Sequence, residues 1–490
     1  MRSLTCCLVM TAVLSLLPTL RADTFTIQEE NGTMSRVEAR LAGTGQGALI
    51  LELADGQYKL VAEGQVLERK PGDGPKPMTH DEVAAALATR FGEALFRSNV
   101  QEPYVMGLVL GSPLPKASEG RAKNMLRKAA NFFKNVDVAF GSFAKEVRLP
   151  IKNPTFPLVI LIFETEEDFE KYTTEGTGGN GLSASRIAGF YSGVTNYLAI
   201  RLSECNTFDV PLHEAIHQQV YNRNMFRRLS PVPHWFDEGI ATGFESNQGQ
   251  VNIGPTKIST RYAKQALAAR ELSWSDMMGD DSVFAGDVLA GEAYGHAWSL
   301  HWLLVSKYRV QYSKYVRMLA EKEPLQKDTA ETRMAEFKEA FGKDLTEFES
   351  DFKPALETGI KRQKVVLNPV KPAGVSKTSE NMGEVELSAT NYVDEGRLEV
   401  QGVLRNTSPI RAMAYHVTVE TESGMYAEWH FPSLDVQKQV PLPAQNVTKR
   451  MLGAPGGRSQ TFRVHVRSLP AGSEQADAWK TALPVPEFGR

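Results

Sequence analysis

Pro211-Leu212-His213-Glu214-Ala215-Ile216-His217-Gln218-Gln219-Val220 is the stretch on which the reading of this chain turns. Leu212, Ile216 and Val220 recur at helical spacing, Pro211 suits a first helical turn, and Asp209 is placed to cap it, so a helix is expected here. On a helix, His213 and His217 stand at i and i+4, which puts both imidazoles on one face, a turn apart. Zinc accepts imidazole nitrogen at about 2.0–2.1 Å in a tetrahedral shell, and a catalytic site keeps one position open for water. Glu214, beside the first histidine, can lean over that position as a general base. Such a site needs a third protein ligand. A His-x-x-Gly-x-x-His continuation is excluded, because Val220 and Arg223 stand at those places. Further on, His234-Trp235-Phe236-Asp237-Glu238-Gly239-Ile240-Ala241 opens an apolar, small-residue helix, and Glu238 can complete a set of two histidines and one glutamate.

Working outward, the segment His80–Phe96 carries Val83, Leu87, Phe91 and Leu95 at helical spacing behind a capping Thr79, and a second helix is expected around Ala122–Phe140. The apolar, β-branched run Phe156–Phe163 reads as a buried strand, with Thr165 capping a short helix to Tyr172. Tyr191–Leu202 alternates and is expected to be one strand, whereas Ile258–Lys364 reads as largely helical. The glycine-rich loop Gly176–Gly181 lacks the Lys-Ser/Thr ending of a phosphate cradle and reads as a plain loop. Before these elements, residues 23–72 alternate apolar and polar around an Asp55-Gly56 turn, the pattern of a small β module. After them, 365–384 is rich in Pro, Lys, Ser and Gly and reads as a linker. Residues 385–470 alternate with period two and read as a β-sandwich, and 471–490 as a tail.

Together the motif segments resemble a known group. His213-Glu214-x-x-His217 followed by Trp235-x-x-Glu238-Gly239-x-Ala241 resembles the gluzincin metallopeptidases, the thermolysin-like clan, and in particular their bacterial peptidase-MA-like families. The strand Asn196–Leu202 is similar to the edge strand that lines their substrate cleft, Ala293–Leu300 to their downstream helix, and Phe337–Phe348 to the segment that closes their catalytic domain. The resemblance covers roughly residues 80–360, and it is strong only at the two metal segments. The loop Asn222–Pro233 is longer than in the best-known members and has no template. The resemblance implies an α+β fold with a zincin-like catalytic domain over 79–364, of mixed sheet plus active-site helices, between the two β modules. It implies one Zn2+ per chain held by His213, His217 and Glu238, with Glu214 as general base. It also makes Tyr294 a candidate donor to the tetrahedral oxyanion, ahead of His296 and His301, and Asp237 and His234 candidates for orienting the ligands.

Composition limits the alternatives. The 490 residues are 42% hydrophobic and 23% charged with a formal charge of −3, an ordinary globular balance with no electrostatic footprint for nucleic acid. Arg2, the apolar stretch Leu4–Leu17, Pro18 and the small Ala22 read as a secretory signal peptide over 1–22, too short for a stable membrane span, so a secreted or periplasmic enzyme is expected. Its removal leaves Cys205 as the one cysteine, which excludes an intrachain disulfide and reads as a small buried side chain. The expected activity is hydrolysis of peptide bonds in a peptide or protein substrate by a zinc-activated water. The alternative is a secreted binding protein with a silent zinc site, and hydrolysis of a non-peptide amide also stays open. The C-terminal β domain is a candidate for holding a partner or surface.

Overall fold

The computed structural model describes residues 23–71, 75–177, 188–206, 208–245, 254–268, 271–285, 288–367, 376–392, 397–421, 426–448 and 462–478. The expected signal peptide, most of the glycine-rich loop and the end of the expected tail lie outside the described residues. The protein is α+β, and the chain divides into two compact units, Met1–Pro77 and Met78–Arg490.

In the first unit, β1 (Asp23–Gln28), β2 (Met34–Gly45), β3 (Ala48–Glu52), β4 (Tyr58–Ala62) and β5 (Val66–Pro71) form one antiparallel sheet in the order β4-β3-β2-β1-β5. Phe25, Ile27, Ala39, Leu51 and Val61 are its core. The β3–β4 turn falls at Asp55-Gly56 as expected, with Gly56 at φ 83°. The charged strand β5 carried no alternating signal because, among the described residues, it is an edge strand paired with β1 alone.

The second unit begins with α1 (His80–Phe91), whose Thr79 cap and Glu82 form a capping box. The helix stops at Gly92, short of the expected Phe96, and Phe96 opens β6 (Phe96–Gln101) instead. Then come β7 (Tyr104–Val109), α2 (Glu119–Glu146), β8 (Leu158–Phe163), α3 (Glu166–Thr177), β9 (Gly189–Tyr191) and β10 (Tyr197–Arg201). The sheet order is β6-β7-β8-β10-β9. β8 is parallel to β7 and β10, and it is apolar throughout because both faces are covered. Val159, Leu161 and Phe163 pack with Val83 and Leu87 of α1 and Phe169 and Tyr172 of α3. Leu158, Ile160 and Ile162 belong to the larger core with Phe133 and Phe140 of α2. Two expectations are corrected here. Tyr191–Leu202 is not one strand: it takes in the last residue of β9, a turn in which Asn196 takes φ 62°, and the antiparallel β10. Among the described residues β9 is therefore the edge of the sheet on this side, and the Asn196–Leu202 strand lies inside it, paired on both sides.

The rest of this half is helical: α4 (Asp209–Asn222), α5 (His234–Phe244), α6 (Thr260–Ala268), α7 (Trp274–Gly279), α8 (Val288–Lys307), α9 (Arg309–Ala320), α10 (Ala330–Phe341) and α11 (Leu345–Gln363). No helix among the described residues is long and apolar enough to cross a membrane. Beyond it, β11 (Ser376–Glu380), β12 (Gly383–Tyr392), β13 (Arg397–Asn406), β14 (Met413–Thr421), β15 (Tyr426–Leu434), β16 (Gln439–Thr448) and β17 (Phe462–Pro470) form two antiparallel sheets, β11-β12-β13-β16 and β15-β14-β17. Their buried residues, Val385, Leu387 and Leu404 from one and Tyr415, Val417 and Val466 from the other, join a common core. The expected linker thus contains β11 and the start of β12, and the expected tail contains α12 (Glu474–Ala478). β11 is a polar edge strand, which needs no apolar face to pair with β12.

Arg411, just before β14, ties these sheets to the sheet of the helical half. Its Nε lies 2.7 Å from Glu164 Oε1, and it donates to Ser112 Oγ and Ser112 O at 2.8 and 3.0 Å. The Gly111 amide donates to the other Glu164 oxygen at 3.1 Å. Burial pushes the Glu164 carboxyl up from 4.5 to about 7, against the pull of Arg411. A folded pKa above the unfolded one gives stability that is complete below the unfolded value and is lost as pH rises through the folded value. Glu164→Gln keeps an acceptor for Gly111 and removes that loss. It should gain on the parent by on the order of 2–3 kcal/mol between about pH 5 and about pH 8, measured by urea unfolding. A pH-independent difference would mean that Arg411 keeps the carboxylate charged throughout.

Candidate metal centre

α4 is held against the sheet by its apolar stripe and by two buried amides. Leu212, Ile216 and Val220 are buried. Gln218 donates to Val159 O at 3.0 Å, and Gln219 donates to the Tyr104 hydroxyl at 2.8 Å, which itself donates to Phe133 O at 3.0 Å. Polar groups buried this way must find their partners, so they fix the rotation of the helix about its axis. With that rotation set, His213, Glu214 and His217 line the cleft at the margin of the stripe. The helix begins at Asp209, after Phe208 in a left-handed conformation at φ 59°; Asp209 is its first residue and not the cap expected from sequence.

α5 brings the third candidate ligand. Trp235 is buried and stacks on Tyr315, centroids 6.2 Å apart at 18°. A Cβ on Gly239 would stand 2.9 Å from Ala297 O and 3.0 Å from His301 Cβ, so only glycine lets α5 and α8 approach this closely. Between these two anchors Glu238 faces α4.

His213 Nε2 lies 3.1 Å from His217 Nε2 and 3.0 Å from Glu238 Oε2, and His217 Nε2 lies 3.8 Å from the same oxygen. Donor atoms on a tetrahedron with bonds of 2.0–2.1 Å would be about 3.3–3.4 Å apart. The spacing fits, and these three residues form a donor set able to hold one metal ion, all ligand atoms lying within 4.8 Å of one another. The charges fit as well. Burial opposes a proton on His213, yet Glu238 and Glu245 outweigh it and lift its pKa to about 10. Burial likewise opposes charge on His217, and Asp237 and Glu238 raise its pKa well above the ordinary value. Glu238 is held well below the carboxylate range by the two imidazoles, in spite of its burial. Carboxylates that draw protons onto buried imidazoles would favour a divalent cation in their place.

The outer contacts orient each of these side chains. Asp237 Oδ1 is 3.3 Å from His217 Nδ1, and Asp237 Oδ2 accepts from the Tyr221 hydroxyl at 2.9 Å. His234 is half-exposed, with Nε2 3.3 Å from Glu238 Oε1. Glu245, which the sequence reading missed, lies 2.7 Å from His213 Nδ1 and accepts from the Tyr262 hydroxyl at 2.7 Å. It stands at the end of α5, seven residues beyond Glu238 and so on the same helix face, a spacing that could have pointed to it. Tyr262, brought in by α6, had no such signal. A partner of this kind fixes the tautomer and the ring orientation of a ligating histidine. Glu245→Gln should weaken metal binding by roughly 10–100-fold, read as a Kd against a chromogenic chelator.

Glu214 stays outside the donor set. Its Oε2 accepts the Tyr191 amide of edge strand β9 at 2.8 Å, and burial raises its pKa, opposed by the two histidines. With the three ligands it lines an open cleft of about 500 Å³, walled by Tyr191, Tyr221, Phe284 and Tyr294. Tyr294 is in that wall, its ring centroid 6.3 Å from that of His213, and burial, then Glu238, raises its pKa. His296 and His301 lie elsewhere. His296 accepts from Trp274 Nε1 at 2.8 Å, and fully buried His301 pairs with the Tyr312 hydroxyl at 2.9 Å, its pKa pushed down to about 3 by burial. Cys205 is half-buried at the margin of the core and is not part of the cleft wall.

No curated protein matches the chain. Residues 210–326, which run from α4 through α9 and carry His213, Glu214, His217, Glu238 and Tyr294, are similar to a family described as a protein of unknown function (DUF1570).

Proposed function

We propose that this chain is an exported zinc-dependent peptidase of gluzincin type, with His213, His217 and Glu238 as the zinc ligands. The observation that carries the proposal is Glu214: a half-buried carboxylate at the cleft, next to the donor set but not in it, its Oε2 held by the Tyr191 amide. A purely structural metal site has no use for such a group. Zinc bound at a site of this kind lowers the pKa of a water and polarises a carbonyl oxygen.

The chain supplies the rest. Glu214 takes the proton of the attacking water and delivers it to the departing amine. Tyr294, kept protonated by burial and by neighbouring carboxylates, donates a hydrogen bond to the carbonyl oxygen as charge grows on it. The β9 edge favours a peptide as substrate. Ser192 N donates back to Tyr197 O at 3.0 Å, so by alternation the Tyr191 and Gly189 backbones face away from β10. There the Tyr191 amide goes to Glu214, so an extended peptide lying along that edge would meet the general base directly. The leader-like residues 1–22 support export.

Metal analysis of the purified full chain should find about one zinc per chain, removable by chelator. A peptide-library digest should show cleavage that a chelator abolishes and zinc restores. Full zinc occupancy in His213→Ala protein would reject the ligand assignment. A zinc-loaded chain that cleaves nothing in the library would reject the peptidase.

A further inference from the structure

The ligand-bearing helix α5 is capped from a distance. Its N-cap residue is Pro233, which has no side-chain oxygen to offer the first amides. Instead, the His234 amide donates to Asp281 Oδ1 at 3.1 Å. Asp281 opens the 3-10 turn Asp281–Phe284, and it is gripped in turn by Arg333 of α10. Arg333 donates Nη1 to Oδ1 at 2.8 Å and Nη2 to Oδ2 at 2.7 Å, a two-pronged pair, while its Nε donates to Asp328 at 2.7 Å. Buried Lys322 continues the chain of contacts. Its Nζ reaches Asp328 at 3.2 Å and Pro231 O, just ahead of α5, at 3.3 Å. At the other end of the same turn, Phe284 enters the cleft wall and meets the His234 ring edge-on, centroids 4.9 Å apart.

We propose that Asp281, held in place by Arg333, is a positioning residue for the metal centre: it serves as the missing cap of α5 and so sets the pose of Asp237 and Glu238. This rests on the metal-site reading above. Asp237 and Glu238 are the fourth and fifth residues of α5. A loosened first turn moves both, and with them the contact to His217 Nδ1 and the ligand oxygen itself. Conformers with Glu238 out of place cannot bind metal, so the apparent affinity falls with the fraction that remains competent. A carboxylate at a helix N-terminus also complements the partial positive charge there.

The test is the zinc Kd of the full-length chain, measured by chelator competition well below the unfolding temperature. Asp281→Ala should bind zinc about tenfold more weakly. Asp281→Asn, which keeps the acceptor for the His234 amide, should stay within about threefold of the parent, and Arg333→Met, which frees Asp281, should fall between the two. Leu356→Ala, a core change outside the cleft wall, should lower Tm and leave the Kd alone. Parent-like zinc binding by Asp281→Ala overturns the proposal while leaving the metal site standing. So does equal weakening in Asp281→Ala and Asp281→Asn, because the acceptor would then not be what matters. A parent chain that binds no zinc overturns the metal site and this proposal together.

Discussion

In Glu214→Gln protein, zinc content and zinc Kd should stay within about twofold of the parent, while chelator-sensitive peptide cleavage falls by about 10²–10⁴-fold. The two halves of this result have separate causes. Glu214 is not one of the three donors, and glutamine retains an oxygen to accept the Tyr191 amide, so the cleft keeps its shape. What glutamine lacks is a basic oxygen; of the other titratable groups in the cleft wall, Asp237 is engaged with His217 and Tyr221, and His234 with Glu238. The comparison is kcat/KM on a cleaved peptide, beside metal analysis of the same preparation. Unchanged turnover would sink the assignment of Glu214 as general base. Loss of zinc along with turnover would mean instead that the substitution disturbs the ligands.

Glu238→Ala should do the reverse and remove the metal first. Binding at structural zinc sites is worth about 10–16 kcal/mol spread over three or four ligands, so one ligand carries about 3–4 kcal/mol, or roughly 10²–10³-fold in Kd. The loss shows in stability as well. At zinc concentrations about a thousand times the Kd, binding adds about 4 kcal/mol to the folded state. With Kd raised roughly 10²–10³-fold, the same zinc concentration adds only about 0.4–1.4 kcal/mol, so the rise in Tm should be clear in the parent and cut to about a third or less in Glu238→Ala. Glu245→Gln separates a ligand from its support: it should keep a zinc-induced rise, reached at higher zinc. A Glu238→Ala chain with the parent's response to zinc would place the third ligand elsewhere.

Where the apolar pattern is local, the elements were legible. Thr79 caps α1, β8 runs through the apolar stretch, and the Asp55-Gly56 turn joins β3 to β4. Errors fell where the signal is a neighbour rather than a pattern. The alternation of Tyr191–Leu202 hid a tight turn, because only the end of β9 falls in the stretch and β10 supplies the rest of its strand pattern. β5 and β11 are polar edge strands, defined by what they pair with. Asp209 has the chemistry of a cap, but the chain enters α4 through the left-handed Phe208, one residue earlier.

The opening stretch and its Trp235–Ala241 companion determined by themselves which residues can meet at a metal: the i,i+4 geometry of one helix fixes His213 and His217, and Gly239 and Trp235 mark a helix built to pack closely. Only the tertiary structure decided what surrounds them. It put Tyr294 in the cleft wall and His296 and His301 outside it, because α8 turns the tyrosine toward the cleft and the histidines toward Trp274 and Tyr312. It made β9 the edge, and it brought Tyr262, Asp281 and Arg333 to the ligand helices from later parts of the chain. Ligand spacing is a property of one helix and survives in its sequence. Orientation and support come from groups on other elements, and the contacts that set them exist only once those elements pack.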